Sequence, residues 1–218
     1  MKSTIIKYLF ALLLVCSSTS YAQHPIQTVK LVQYVFDEFM PGTVKLKSGE
    51  TSIRNLNYNI ITNEMVFKEN EKFAAIANPE NVDTVYIADR KFIPLNNKFY
   101  EVLVMGKMPL LEEFTASVIE PGTSIGYGST TESGAASSYQ SLIRDGGAYG
   151  LKLPDGFKVM PKQAFFILQN GKLEKMGNEK QLAKIFPDKK DMIKSLVKKN
   201  NTNFSKREDV VAMVKELE

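Results

Sequence analysis

Three residue types that carry much of protein chemistry are almost missing here: the 218 residues hold one cysteine, one histidine and no tryptophan. Cys16 lies in an N-terminal stretch expected to be removed, which leaves the mature chain no thiol for a disulfide or a thiolate metal site. His24 stands two residues into that mature chain, where termini fray. A Ser-His-Asp triad, a Cys-His pair and a histidine-rich metal centre are therefore excluded. Walker loops, dinucleotide fingerprints and EF-hand loops are missing as well. Gly126-Tyr127-Gly128 and Gly146-Gly147 lack the helix start that a phosphate loop needs. No catalytic residue, metal ligand or cofactor is assigned on these grounds. Long apolar runs are also lacking, and the longest, residues 8–15, is too short to span a bilayer.

That short run has a different meaning in its context. Lys2 and Lys7 precede or flank it, and Ser17-Ser18-Thr19-Ser20-Tyr21-Ala22 follows, with small residues at Ser20 and Ala22. A positive start, a short apolar segment and a small-x-small end make a secretory signal peptide over residues 1–22. Cleavage is expected between Ala22 and Gln23, giving a protein exported to the periplasm or outside the cell. A rival reading makes Cys16 the lipid-bearing residue of a lipoprotein. Val15 stands where that processing needs a small residue, so cleavage after Ala22 is preferred.

The formal net charge of +4 conceals an asymmetry. Residues 23–151 carry 11 Lys+Arg against 15 Asp+Glu, whereas residues 152–218 carry 15 against 9. An acidic body and a basic tail can attract each other or an anionic surface, but a solvated lysine-rich face accounts for the tail more simply. Nucleic acid is rejected as a partner by the export signal and by the scarcity of arginine, with Arg54, Arg90 and Arg144 alone ahead of Arg207. A membrane-surface helix would want an aromatic-rich apolar face, which the tail lacks.

Residues 39–119 organise the rest. Short β-branched and aromatic segments alternate with turn signals: Ser48-Gly49, Thr62-Asn63, Asn70-Glu71, Asn78-Pro79, Asp89-Arg90 and Asn96-Asn97. That rhythm predicts an antiparallel meander or roll. Strands are expected at 44–46, 51–56, 58–61, 65–67, 72–77, 82–88, 91–95, 99–105 and 108–119. Residues 26–39 lean towards strand on their β-branched content, and Met40-Pro41-Gly42 is expected to break the run. Further strands are predicted at 157–160 and 163–169, with Asn170-Gly171 turning the latter into 172–175.

Between these lies a glycine- and serine-rich segment, residues 121–156, whose Tyr127, Tyr139, Arg144 and Tyr149 are the candidate ligand-binding residues. Glycine admits close approach and tyrosine offers a flat face with a polar tip. The plainer alternative is a surface loop docked by its tyrosines. After residue 177 the pattern turns helical. Asn178-x-x-Gln181 and Ser205-x-x-Glu208 resemble capping boxes. Apolar stripes follow them at Leu182, Ile185 and Phe186, at Met192, Ile193, Leu196 and Val197, and at Val210, Met213, Val214 and Leu217. Such short helices need packing partners, so the stripes are expected to lie on the sheet.

Residues 42–49 (Gly-Thr-Val-Lys-Leu-Lys-Ser-Gly), Asn57-Tyr58-Asn59, Glu64-Met65-Val66-Phe67 and the tail 186–193 with 203–217 resemble secreted envelope proteins of Bacteroidota-type Gram-negative bacteria. The resemblance implies an envelope location and brings no catalytic residue with it. The reading is thus α+β: an antiparallel β-rich body over 23–177 and a basic helical cap over 178–218. The expected role is binding or structural rather than enzymatic; the partner is left unassigned, with another envelope protein as the candidate. The one enzymatic alternative is a glycan or peptidoglycan hydrolase using paired carboxylates, for which Glu101, Glu112, Glu113 and Glu120 lie on or beside predicted strands.

Overall fold

The computed structural model describes residues 31–119, 123–124, 130–131 and 146–217. Their main feature is one antiparallel sheet of ten strands. Strands β1 (Met40–Leu46), β2 (Thr51–Asn59), β3 (Glu64–Glu69) and β4 (Lys72–Ala75) form one meander. A second comprises β5 (Val82–Ile87), β6 (Arg90–Leu95), β7 (Lys98–Val104) and β8 (Leu110–Ile119). The two-residue strands β9 (Thr123–Ser124) and β10 (Thr130–Thr131) pair with each other apart from the main sheet. The long β11 (Lys158–Gln169) then returns beside β8 and turns into β12 (Lys172–Lys175). Three helices follow, α1 (Glu179–Ile185), α2 (Lys190–Asn200) and α3 (Arg207–Leu217).

The tight turns are made by residues that accept a positive φ. Asn96 and Asn97 sit at 51° and 61°, and Asn170 and Gly171 at 50° and 75°, the geometry that lets a two-residue hairpin follow the strand twist. The meander is interrupted once: β5 pairs with β1 rather than with β4, so the sheet order runs β4-β3-β2-β1-β5-β6-β7-β8-β11-β12.

Register puts nearly all of the core on one face. Val44 lies opposite Val85, Val85 opposite Phe92, Phe92 opposite Glu101, Glu101 opposite Glu112, and Glu112 opposite Phe165. The sheet coils about this face until β3 meets β7. Tyr58 and Phe99 then touch edge to face with centroids 6.4 Å apart, and Tyr58 stacks at 6.3 Å on Phe92. Leu56, Met65, Val85, Ile87 and Phe92 complete this self-covered core. Gly42 is required within it, because a Cβ there would stand 2.6 Å from the Tyr86 carbonyl oxygen and 2.8 Å from Leu56. Further along the same face the sheet does not reach itself. There Leu110, Phe165, Ile167 and Met176 are covered by Leu182, Ile193, Leu196, Val210, Met213 and Leu217 of the helices.

Several expectations need correction. Residues 31–39 do not form a strand; only Tyr34 bridges to Asn59. The Asn57 side chain replaces the missing pairing, accepting from Phe36 N–H at 3.1 Å and donating to the Phe36 and Glu38 carbonyls at 2.8 and 3.0 Å. Met40-Pro41-Gly42 does not end the run but opens β1, since β5 pairs only from Gly42 onward and Pro41 has no partner there to lose. Likewise 157–160 and 163–169 are one strand through Pro161, which β12 does not reach. The segments 51–56 and 58–61 also merge, into β2. Met192 points outward at 45% exposure, because the stripe of α2 narrows to Ile193 and Leu196 with Val197 at its border. The box at Ser205 is replaced by α3 starting at Arg207, with Asp209 accepting from Asn203 N–H at 2.8 Å. The Asn178 cap is present, its side chain accepting from Gln181 N–H at 2.9 Å.

Candidate functional site

Where the self-covered core gives way to the helix-covered one, the shared face changes from apolar to charged. Glu101 on β7 and Glu112 on β8 are direct cross-strand neighbours pointing to that face. They are 2% and 1% exposed. Like charges placed so, out of water, need cations. Arg90 supplies one from the first position of β6, immediately after the turn in which Ala88 takes φ 52°. Arg207 supplies the other from the first turn of α3.

The contacts are asymmetric. Arg207 Nη1 donates to Glu101 Oε2 at 2.8 Å and to Glu112 Oε2 at 2.7 Å. Its Nη2 donates to Glu101 Oε1, and Arg90 Nη2 donates to Glu101 Oε2. Both oxygens of Glu101 are thus taken by guanidinium donors, in the forked arrangement that arginine favours with carboxylates. Arg90 is held besides by three rings, with its guanidinium carbon 4.7 Å from the Phe36 centroid, 5.2 Å from Phe114 and 5.4 Å from Phe92. Its Nε is buried and has no hydrogen-bond partner among the described residues.

Two carboxylates in one cluster therefore titrate differently. Burial works to raise Glu101, but the hydrogen bonds and charges of Arg207 and Arg90 outweigh it and hold the group below its ordinary range. Burial pushes Glu112 up to about 7; Arg207 pulls it back only in part, and repulsion from Glu101 adds to the rise.

A cavity of about 350 Å³ opens beside this cluster, lined by Arg90, Glu112 and Arg207 at one end. Its walls include Tyr34, Val35, Ile60, Phe114 and Pro161. Glu101 is not among its lining residues. Gln163, also on the wall, donates to the Ser205 carbonyl at 2.7 Å and so ties β11 to the approach of α3.

Of the expected binding residues, Tyr149 alone falls among the described residues; Tyr127, Tyr139 and Arg144 lie outside them, as do Cys16, Ala22, Gln23, His24 and Glu120. Tyr149 is not among the residues that line the cavity. Its hydroxyl donates to Glu64 Oε2 at 2.5 Å and its carbonyl accepts from the Tyr34 hydroxyl at 2.8 Å. Asn59 and Gln33 hold the same segment through the carbonyls of Ala148 and Gly150, at 2.7 and 2.6 Å. Tyr149 is thus engaged in fastening residues 146–150 to the sheet. Glu113 points to the other face and pairs with Lys98 at 2.8 Å. Arg90 and Arg207 went unnoticed in the sequence as site residues. The available signal was their rarity, since two of only four arginines in a lysine-rich chain meet here.

Among the described residues no helix is long and apolar enough to cross a membrane, and no group of three or more histidine, cysteine or carboxylate side chains is placed to hold a metal ion. The chain matches no protein-family model, no curated protein and no solved structure.

Proposed function

We propose that this is an exported envelope protein that binds a ligand without turning it over, with the cavity beside Arg90, Glu112 and Arg207 as its binding site. The observation that carries the reading is that, among the described residues, one carboxylate and not two lines that cavity. Hydrolysis of a glycosidic bond needs a second carboxyl group free to act as nucleophile or base on the other side of the bond. Glu101 is the nearest second carboxylate, and its oxygens are occupied by arginine donors. The N-terminal pattern of residues 1–22 supports export, to the periplasm or beyond, and the partner that presents the ligand is expected to be another envelope component.

The hydrolase reading has one observation in its favour. Glu112 is poised to keep its proton near neutral pH while Glu101 stays ionised, a division of labour familiar from acid–base pairs. The two readings separate on incubation of the chain from Gln23 onward with peptidoglycan sacculi and soluble glycans. No released product is expected. Product that disappears in Glu112→Gln would transfer the site to the hydrolases. Export is tested by fractionating the cell and sequencing the N-terminus of the native protein. Gln23 in the envelope fraction is expected, and Met1 in the cytoplasmic fraction would sink it.

A further inference from the structure

The cavity combines an apolar body with a cationic end. Tyr34, Val35, Ile60, Phe114 and Pro161 offer carbon surface, and Thr115, Lys162 and Gln163 share the wall, Gln163 with one amide N–H given to the Ser205 carbonyl. At the charged end, Arg207 gives three of its five N–H groups to Glu101 and Glu112, and Arg90 gives one to Glu101, which leaves guanidinium donors for an incoming acceptor. The flat faces of Arg90 are taken by Phe36, Phe92 and Phe114, so its guanidinium can offer a newcomer only its edge. A planar, acceptor-only group of one negative charge is the natural complement. At about 350 Å³ the space lies at the small end of ligand sites.

From these features we infer that the cavity binds a small monocarboxylic acid with an apolar body, its carboxylate against Arg90 and Arg207 and its hydrocarbon against Val35, Ile60 and Phe114. The inference rests on the binding reading above and names the ligand class for the same site. Charge balance supports it. The groups facing Glu112 are Arg90 from β6, Glu101 from β7 and Arg207 from α3, with Lys162 of β11 on the same cavity wall. With Glu112 protonated, two guanidiniums face one ionised carboxylate and the incoming anion supplies the second. The protonated Glu112 gains an O–H to donate to it. Binding is therefore accompanied by retention of that proton, and affinity falls as pH rises above about 7. Inorganic phosphate satisfies the cations but not the apolar wall, and a neutral alcohol does the reverse.

The test uses the chain from Gln23 onward in isothermal titration at pH 6 and pH 8, with hexanoate and benzoate as probes. Hexan-1-ol, benzyl alcohol and inorganic phosphate serve as comparators. At pH 6 at least one acid is expected to bind saturably at one site, about tenfold or more tighter than its alcohol, and more weakly at pH 8. Val35→Phe places bulk on the apolar wall of the cavity and changes none of the charged residues. It is expected to abolish binding while the thermal transition stays cooperative. Arg90→Gln is expected to reduce the preference for acid over alcohol. Equal binding of acid and alcohol overturns the carboxylate class and leaves the binding reading standing. Phosphate as tight as the acids overturns the apolar body. Binding that survives Val35→Phe overturns the location, and no saturable binding of either acid or alcohol overturns both the inference and the reading beneath it.

Discussion

Two halves of one sheet face solve the same problem in different ways. From β3 to β7 the sheet coils and covers itself, so Leu56, Tyr58, Phe92 and Phe99 meet each other across the roll. Around Leu110 of β8 and Phe165 and Ile167 of β11 it needs a separate cover, and α1, α2 and α3 supply it. The alternation of apolar side chains is the same in both halves. What differs is whether the partner surface is local in sequence or arrives at the very end of the chain. Where the two covers meet, neither seals completely, and the charged cluster and its cavity occupy the seam. The lesson is that a polar site can arise as the junction between two separately adequate cores.

The harshest way to break the comparison is to end the chain at Gly177. That removes Leu182, Ile193, Leu196, Val210, Met213 and Leu217 from the core and Arg207 from the buried carboxylates. At about 1.5–3 kcal/mol for each buried apolar side chain, the loss is as large as the whole stability of an ordinary domain, about 5–15 kcal/mol. The shortened chain is expected to show no cooperative thermal transition. A body that melted as sharply as the full chain would mean that the helices are an ornament. Arg207→Ala probes the seam alone. Stripping the cation from two buried carboxylates is expected to cost about 3–5 kcal/mol in urea unfolding. Removing the exposed Lys45–Asp83 pair of the rolled half, by Asp83→Asn, is expected to cost less than about 1 kcal/mol.

Leu56→Ala and Leu182→Ala place an equal deletion in each half, and each is expected to cost about 2–5 kcal/mol. If both halves belong to one cooperative unit, the two variants shift the urea midpoint without changing the slope; two separate transitions in either would show the halves to be independent. The gentlest probe is pH. The folded state raises Glu112 from 4.5 to about 7, so its contribution is fully present below the lower value and is lost as pH climbs through the upper one. Glu112→Gln is expected to flatten the decline between about pH 4.5 and 7, read as thermal midpoint against pH. Glu101 acts in the opposite sense: its carboxyl is held low, so its share is lost as acid protonates it.

Much of this architecture was readable from the residues. Asn96-Asn97 and Asn170-Gly171 announced their hairpins because few residues accept their backbone angles, and the stripes on α1 and α3 fell where they pack. The pairing of β5 with β1 was not readable, since nothing local distinguishes it from a continued meander. Nor was the interruption at Phe36–Glu38, where one asparagine side chain does the work of a neighbouring strand. As for the site, Glu101 and Glu112 could be placed on strands, but not opposite one another. Their partners come from the start of β6, 11 residues before Glu101, and from a helix 95 residues after Glu112. Burial, which decides that Glu112 titrates near neutrality and Glu101 does not, is a property of the assembled fold alone.

The place of β1 in the sheet also bears on how the protein must be made. Its neighbour on one side, β2, follows at once, but its neighbour on the other side ends at Ile87. As the polypeptide emerges N-terminus first into the compartment where it folds, hairpins β1–β2 and β3–β4 can close while the second border of β1 still presents bare amide and carbonyl groups. Such a border is an invitation to foreign strands, and it stays open until some forty more residues have appeared. A strand inside the finished sheet is thus exposed to misassembly during its birth, as β8 is until β11 arrives.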